Sequence, residues 1–224
     1  MKIKNYIKSN IFKILTESYK WRNRDLIESE TYENPKLTFS KVIICNKYSI
    51  IISFIISLIV KNLFSENITT FLMTSLSIFI GLFISILILI FDKFLNHNEN
   101  YKRSIAEKNT APDIKPNFIR TRNFTRRFIF VLLESLITAF TAILLLLISL
   151  IFNNLFVIDI FDYKFIFYKD INLESFYLFT RNTFIVIIKT LVLVLMIRFC
   201  LFLFFLLGAL AEYMKGVLYG KVNT

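Results

Sequence analysis

Residues 69–91, TTFLMTSLSIFIGLFISILILIF, decide the reading of this chain. The stretch contains no charged side chain. As a helix rising ~1.5 Å per residue it is long enough to cross ~30 Å of hydrocarbon, where only structures that satisfy their own backbone hydrogen bonds are stable. A transmembrane helix is therefore expected over 69–91. Two more follow by the same argument: 128–152, whose one charge is Glu134, and 184–211, which carries Lys189 and Arg198 and at 28 residues must tilt or protrude. A fourth span, over 43–64, has the weakest signal, because its uninterrupted apolar core at 48–60 is short for a crossing. Lys47 and Lys61 have to reach toward opposite interfaces, as long basic side chains near helix ends do.

With 56% hydrophobic residues in a chain of 224, lipid is the expected main solvent. The net charge of +11 would suggest nucleic acid in a soluble protein, so its distribution has to be tested against membrane topology first. Lys and Arg number nine in 1–42, nine in 92–127 and two in 212–224, twenty in all, against Lys61, Lys164, Lys169 and Arg181 on the other side. An excess of this kind over short loops marks the cytoplasmic face. The segment 1–42, the loop 92–127 and the tail 212–224 are thus expected inside, and 153–183 outside. Having both termini on one face requires an even number of spans, which supports counting 43–64. The expected fold class is an all-α integral membrane protein of the bacterial inner (cytoplasmic) membrane, with four transmembrane helices, N-in and C-in. The opening MKIKNYIKSN lacks the continuous apolar core and small-residue cleavage site of a signal peptide.

Outside the spans, residues 1–42 read as a basic amphipathic segment. Ile3, Tyr6, Ile7, Ile11, Ile14 and Trp21 fall within roughly 140° of arc at 100° per residue, with Lys2, Lys13 and Lys20 along one edge and Lys4, Lys8 and Arg22 along the other. Such a helix fits a membrane surface. The loop 92–127 is expected to start as a helical continuation of the span before it. It then turns irregular at 110–117, where Pro112 and Pro116 fall, and ends in the basic run RTRNFTRR. The outer segment alternates aromatic and polar residues in VIDIFDYKFIFYKD, which suits a small hairpin or an interfacial cap.

Polar groups inside a membrane are costly and therefore informative. Glu134 lies six residues past Phe128, about 9 Å in from the cytoplasmic end, and Arg198 nine residues before Leu207, about 13 Å in from the same side. The similar depths suggest an ion pair, either a lock between the third and fourth spans or part of a polar pathway. The plain alternative is a structural pair with snorkelling. Lys189 is nine residues from Arg198, a rotation of about 180°, so it is expected to face the opposite way and reach the outer interface. The second span carries a small and polar face of Thr70, Thr74, Ser77, Gly81 and Ser85, continued by Asp92 at the cytoplasmic mouth. In an oligomer that face could line a water-filled pore with a ring of Asp92 carboxylates at its entrance. Equally, Ser77, Gly81 and Ser85 form a small-xxx-small series that lets helices pack closely. Thr138 and Thr141 share the Glu134 face of the third span. Arg120, Arg122, Arg126 and Arg127 could bind the phosphates of a nucleotide, a nucleic acid or lipid headgroups, or a cytoplasmic protein partner. As an alternative they anchor topology beside a span.

Cys45 and Cys200 are the only cysteines and His97 the only histidine, so no zinc site or catalytic triad is expected. There is no GxxxxGK[ST] phosphate loop, no carboxylate pair and no nucleophile–base arrangement, so the chain is expected to be no enzyme and to need no cofactor.

The layout resembles the small four-span membrane subunits of bacterial antiphage defence, of the Hailong or Kiwa kind. The features that carry the likeness are the basic N-terminal segment with YKWRNRD, the span GLFISILILIFDKF running into a charged loop, and a second pair of spans. The resemblance implies a homo-oligomer in the inner membrane, working with a soluble cytoplasmic partner or its nucleotide product as an ion-conducting effector. Two other functions compete with that partner- or ligand-gated ion channel. One is a non-conducting membrane anchor or sensor subunit that recruits a cytoplasmic partner. The other is a small transporter using Glu134 as an ion-coupling carboxylate, against which stands the lack of a sequence repeat or broken helix.

Overall fold

The computed structural model describes residues 2–22, 43–44, 46–60, 62–106, 114–152 and 173–219. Among these residues the chain forms five helices: α1 (Lys2–Arg22), α2 (Lys47–Ile59), α3 (Glu66–Ala106), α4 (Ile114–Ile151) and α5 (Leu173–Tyr219). Three of them are long and apolar enough to cross a membrane, over Glu66–Asn100, Thr121–Ile151 and Phe179–Ala211. These coincide with the stretches expected at 69–91, 128–152 and 184–211. α2 is apolar but has 13 residues, about 20 Å at 1.5 Å per residue and short of ~30 Å of hydrocarbon. The helix expected across 43–64 stops at Ile59, because Val60 is extended (φ −92°, ψ 111°) and a turn at 62–64 leads into α3.

The expected loops need correction. α3 continues to Ala106, α4 already begins at Ile114 and α5 extends from Leu173 to Tyr219. Much of 92–127, the end of 153–183 and the start of 212–224 are therefore helix. An apolar span supplies the helix nucleus, and a flanking segment then propagates it without the cost of nucleation. Pro116 does not interrupt the chain as expected. It is the third residue of α4, where the backbone N–H has no intrahelical acceptor and a proline loses no bond. Residues 107–113, where the rest of the irregular stretch falls, and 153–172, where the hairpin or cap falls, lie outside the described residues.

The chain divides into two compact units: Met1–Thr38, Ile80–Ile137 and Leu201–Thr224 form the first, Phe39–Phe79 and Thr138–Cys200 the second. In the first, Trp21 of α1, Phe83 of α3, Val131 and Leu132 of α4 and Phe202 of α5 are buried. In the second, Leu58 of α2 packs against Ile185 and Val186 of α5. Ser57 and Thr190 share a hydrogen bond of 2.9 Å, and the Phe79 and Phe199 rings meet edge to face at 5.7 Å. α4 is the most enclosed of the long helices. Half of its most apolar stretch is buried, against 17% for α3 and 22% for α5. Its Ser135, Ala139 and Ala142 are completely buried, and residues that small let neighbouring backbones approach. α3 and α5 instead present exposed rows that include Phe71, Ile78, Leu82, Phe184 and Phe204, a surface that water penalises and lipid does not.

Candidate functional site

In the first unit, charged and aromatic side chains converge on Glu134. Arg127 and Glu134 are seven residues apart, two turns, and so share a face of α4. α1 supplies Ser18 and Arg22, one turn apart on its own face. The Ser18 hydroxyl donates to Glu134 Oε2 at 2.5 Å, and the Arg22 guanidinium stands 3.6 Å from the same oxygen. Ser18 and Glu134 are both buried. A hydroxyl donating to a carboxylate is a charge-assisted hydrogen bond, stronger than a neutral one. A buried carboxylate without such donors would be strongly destabilising.

The backbone end of α1 is held as well. The last four carbonyls of a helix have no intrahelical donor and form the negative end of its dipole. Arg127 meets one of them, its Nη2 donating to the Arg22 carbonyl at 2.7 Å. Aromatic faces hold the guanidinium groups: Arg22 lies over Phe202 at 5.2 Å, Arg127 over Phe205 at 5.5 Å and Arg126 over Trp21 at 5.8 Å. Phe202 and Phe205 are three residues apart and face the same way from α5. The Trp21 indole N–H donates to Glu17 at 3.1 Å, one turn back in α1. The arrangement is a clamp on the C-terminal turn of α1. To release it, a charge-assisted bond, a helix-end bond and three cation–π contacts must all give way.

This geometry revises the reading of α1. The Trp21 end of its apolar arc enters the protein instead of the membrane surface, while Ile11 and Phe12 remain exposed. Ser18 was not singled out from the sequence, although a hydroxyl within an otherwise apolar arc was a usable signal. Within the basic run, for which anion or partner binding or a topology anchor was expected, Arg126 lies over Trp21 of α1 and Arg127 over Phe205 of α5. Arg122 is half-buried, and the Arg120 side chain lies outside the described residues. The partner expected for Glu134 was Arg198. The carboxylate takes Ser18 and Arg22 from α1, and the half-buried Arg198 makes an interaction of its own.

The small and polar face of α3 lies on the outside of the chain. Thr74, Ser77, Gly81, Ser85 and Asp92 are all exposed, and a Cβ on Gly81 would meet nothing within 4 Å. The buried side chains of this helix, Thr69, Leu76, Ile80 and Phe83, lie about 130° around it at 100° per residue. Among the described residues, the stripe is therefore not packed closely against another helix of the chain. Its hydroxyls turn back on their own helix, Thr74 to the Thr70 carbonyl at 2.9 Å, Ser77 to Met73 at 2.8 Å and Ser85 to Gly81 at 3.0 Å. Lys189, expected to reach the outer interface, is instead completely buried. Of the cysteines, Cys200 is an exposed free thiol, and Cys45 lies outside the described residues. No protein-family model, curated protein or solved structure matches the chain.

Proposed function

We propose that the protein is an oligomeric effector of the bacterial inner membrane, of the ion-channel type, in which α3 lines the conducting path and α1 is the gating element. The observation that carries this reading is the outward position of the α3 stripe. Ser77, Gly81 and Ser85 are exposed among the described residues of one chain, and this supports a path assembled from several copies. The clamp around Glu134 supplies the means of control. α1 is joined to the bundle by contacts that a cytoplasmic partner or a nucleotide could compete for, because they are made by arginines, a carboxylate and a helix end. In this reading the short α2 serves as a fourth crossing, and the charge asymmetry of twenty to four keeps both termini in the cytoplasm. The antiphage setting rests on the resemblance of YKWRNRD and GLFISILILIFDKF to that family.

The test is planar-bilayer recording on purified protein with particle size measured in parallel. Ser77→Phe and Gly81→Phe should block conduction while leaving the oligomer intact, and Asp92→Asn should reduce cation preference. If the Phe variants disrupt assembly and Asp92→Asn changes nothing, the stripe is a packing surface between copies. A second reading, a non-conducting anchor or sensor that recruits a cytoplasmic partner, is favoured by the exposure of Ile11 and Phe12 on α1. Absence of conductance, with and without cytoplasmic nucleotides, decides for it.

A further inference from the structure

Among the described residues, α1 reaches beyond its contact with the rest of the first unit. Ser18, Trp21 and Arg22 enter the clamp, whereas Ile11, two turns before Ser18 on the same face, is 38% exposed. Phe12 beside it is 57% exposed, and Lys13 is exposed as well. The clamp also fixes where this apolar pair stands. Glu134 is six residues past Phe128, where the apolar stretch of α4 begins, about 9 Å along that helix. Ser18 is bonded to Glu134, and Phe12 is six residues before Ser18, again about 9 Å along α1. With α4 crossing a membrane, Ile11 and Phe12 are close to the hydrocarbon edge or inside it. The neighbouring hydroxyl suits that setting, because Thr16 donates to the Phe12 carbonyl at 2.8 Å and so needs no water.

We propose that this part of α1 binds the anionic headgroups of the cytoplasmic leaflet, with Ile11 and Phe12 at the boundary of headgroups and acyl chains and Lys13 on a lipid phosphate. Charge selects the occupant. α1 carries Lys2, Lys4, Lys8, Lys13 and Lys20 against one carboxylate, Glu17, and basic residues beside a leaflet are attracted by its anionic lipids. A lysine stem lies along apolar surface while its ammonium stays with the headgroups, so an exposed Lys13 next to an exposed Phe12 suits a lipid interface. A soluble protein would have to displace lipid to reach the same pair. The proposal rests on the membrane reading of the spans and adds a lipid ligand to the helix read as the gating element.

Bromine quenching of tryptophan emission tests the surface. The full chain is placed in nanodiscs of phosphatidylcholine alone, or mixed about three to one with phosphatidylglycerol, each with and without brominated acyl chains. Phe12→Trp adds a tryptophan to Trp21, whose own contribution is read from wild type. The added tryptophan should be quenched at least about twofold in the anionic discs and less in phosphatidylcholine, and raised salt should narrow the difference. Lys13→Glu in that background should raise the phosphatidylglycerol content for half the quenching at least about twofold. Ile11→Trp repeats the measurement if Phe12→Trp does not fold. Quenching that is absent, equal in the two lipids or unchanged by Lys13→Glu overturns the proposal. So does an added tryptophan that is shielded from acrylamide yet unquenched by bromine, which marks a protein neighbour on this face. Phe71→Trp, in an exposed row of α3, should be quenched in both discs whatever α1 does. Its quenching separates failure of this proposal from failure of the membrane reading, and neither measurement involves conduction.

Discussion

Ser18→Ala tests the clamp at its most buried contact. The substitution removes a donor 2.5 Å from a buried carboxylate oxygen. From α1 the carboxylate then retains Arg22 at 3.6 Å, a distance too long for a good hydrogen bond. A hydrogen bond to a charged group contributes about 1.5–3 kcal/mol, so a loss of about 2 kcal/mol is expected. Arg22→Met should cost less through the ion pair, about 1 kcal/mol, because its side chain is 26% exposed and solvent screens the charge. Loss of the Phe202 contact adds about 0.5–1 kcal/mol. With Glu134→Gln the acceptor is a neutral amide, and the Ser18 bond falls to about 1 kcal/mol. Ser18→Ala should therefore cost about half as much in that background, a coupling of about 1 kcal/mol. The chain carries a single tryptophan, Trp21, which is 5% exposed and sits inside the clamp. Its emission reports the docking of α1, while far-ultraviolet circular dichroism reports the helices together. Denaturant titration in mixed micelles, followed by both signals, gives the free energies for the cycle. The Trp21 transition should move to lower denaturant in Ser18→Ala and shift much less when Gln occupies position 134. Strict additivity of the two substitutions would falsify the clamp, and so would a Trp21 transition that does not move.

Reporter fusions after Asn100 and after Thr224 should read as cytoplasmic, and one within 159–170 as external; a cytoplasmic signal from the last would end the four-span model. Arg127→Leu removes both the bond to the α1 carbonyl and the stacking on Phe205, so Trp21 emission should shift to the red and become more accessible to acrylamide at unchanged helix content. Ser57→Ala should lower stability by about 1 kcal/mol through the lost α2–α5 hydrogen bond. Ser77→Ala, at an exposed hydroxyl bonded to its own helix, should stay within about 0.5 kcal/mol, and a larger cost there in the isolated chain would contradict the outward position of the α3 stripe.

The three long apolar helices were legible because hydropathy belongs to each residue alone and adds along the chain without reference to neighbours. Residues 69–91 need no partner to be recognised as helix. The position of Glu134 along its helix was legible for the same reason, since a helix advances by a constant rise per residue. The extent of the helices beyond the spans was not. Local signals such as Pro116 are read as breaks, and whether a proline breaks a helix depends on which turn it occupies.

Which way each polar residue faces was decided by the tertiary structure. α5 is apolar on every side, and lipid is as apolar as the bundle interior, so no hydrophobic contrast along that helix separates inside from outside. The outer interface expected for Lys189 from its rotation relative to Arg198 therefore had no support from hydrophobic contrast, and the residue is buried. On α3 the small residues fit a packing face equally well, and only the positions of Leu76, Ile80 and Phe83 turn the stripe outward. The clamp joins Ser18 to Glu134 across 116 positions of sequence, and periodicity within one helix carries no information about contacts at that separation. The sequence alone determined how much of the chain is apolar helix, while the folded bundle determined which buried charge meets which partner, because pairing needs two surfaces at once.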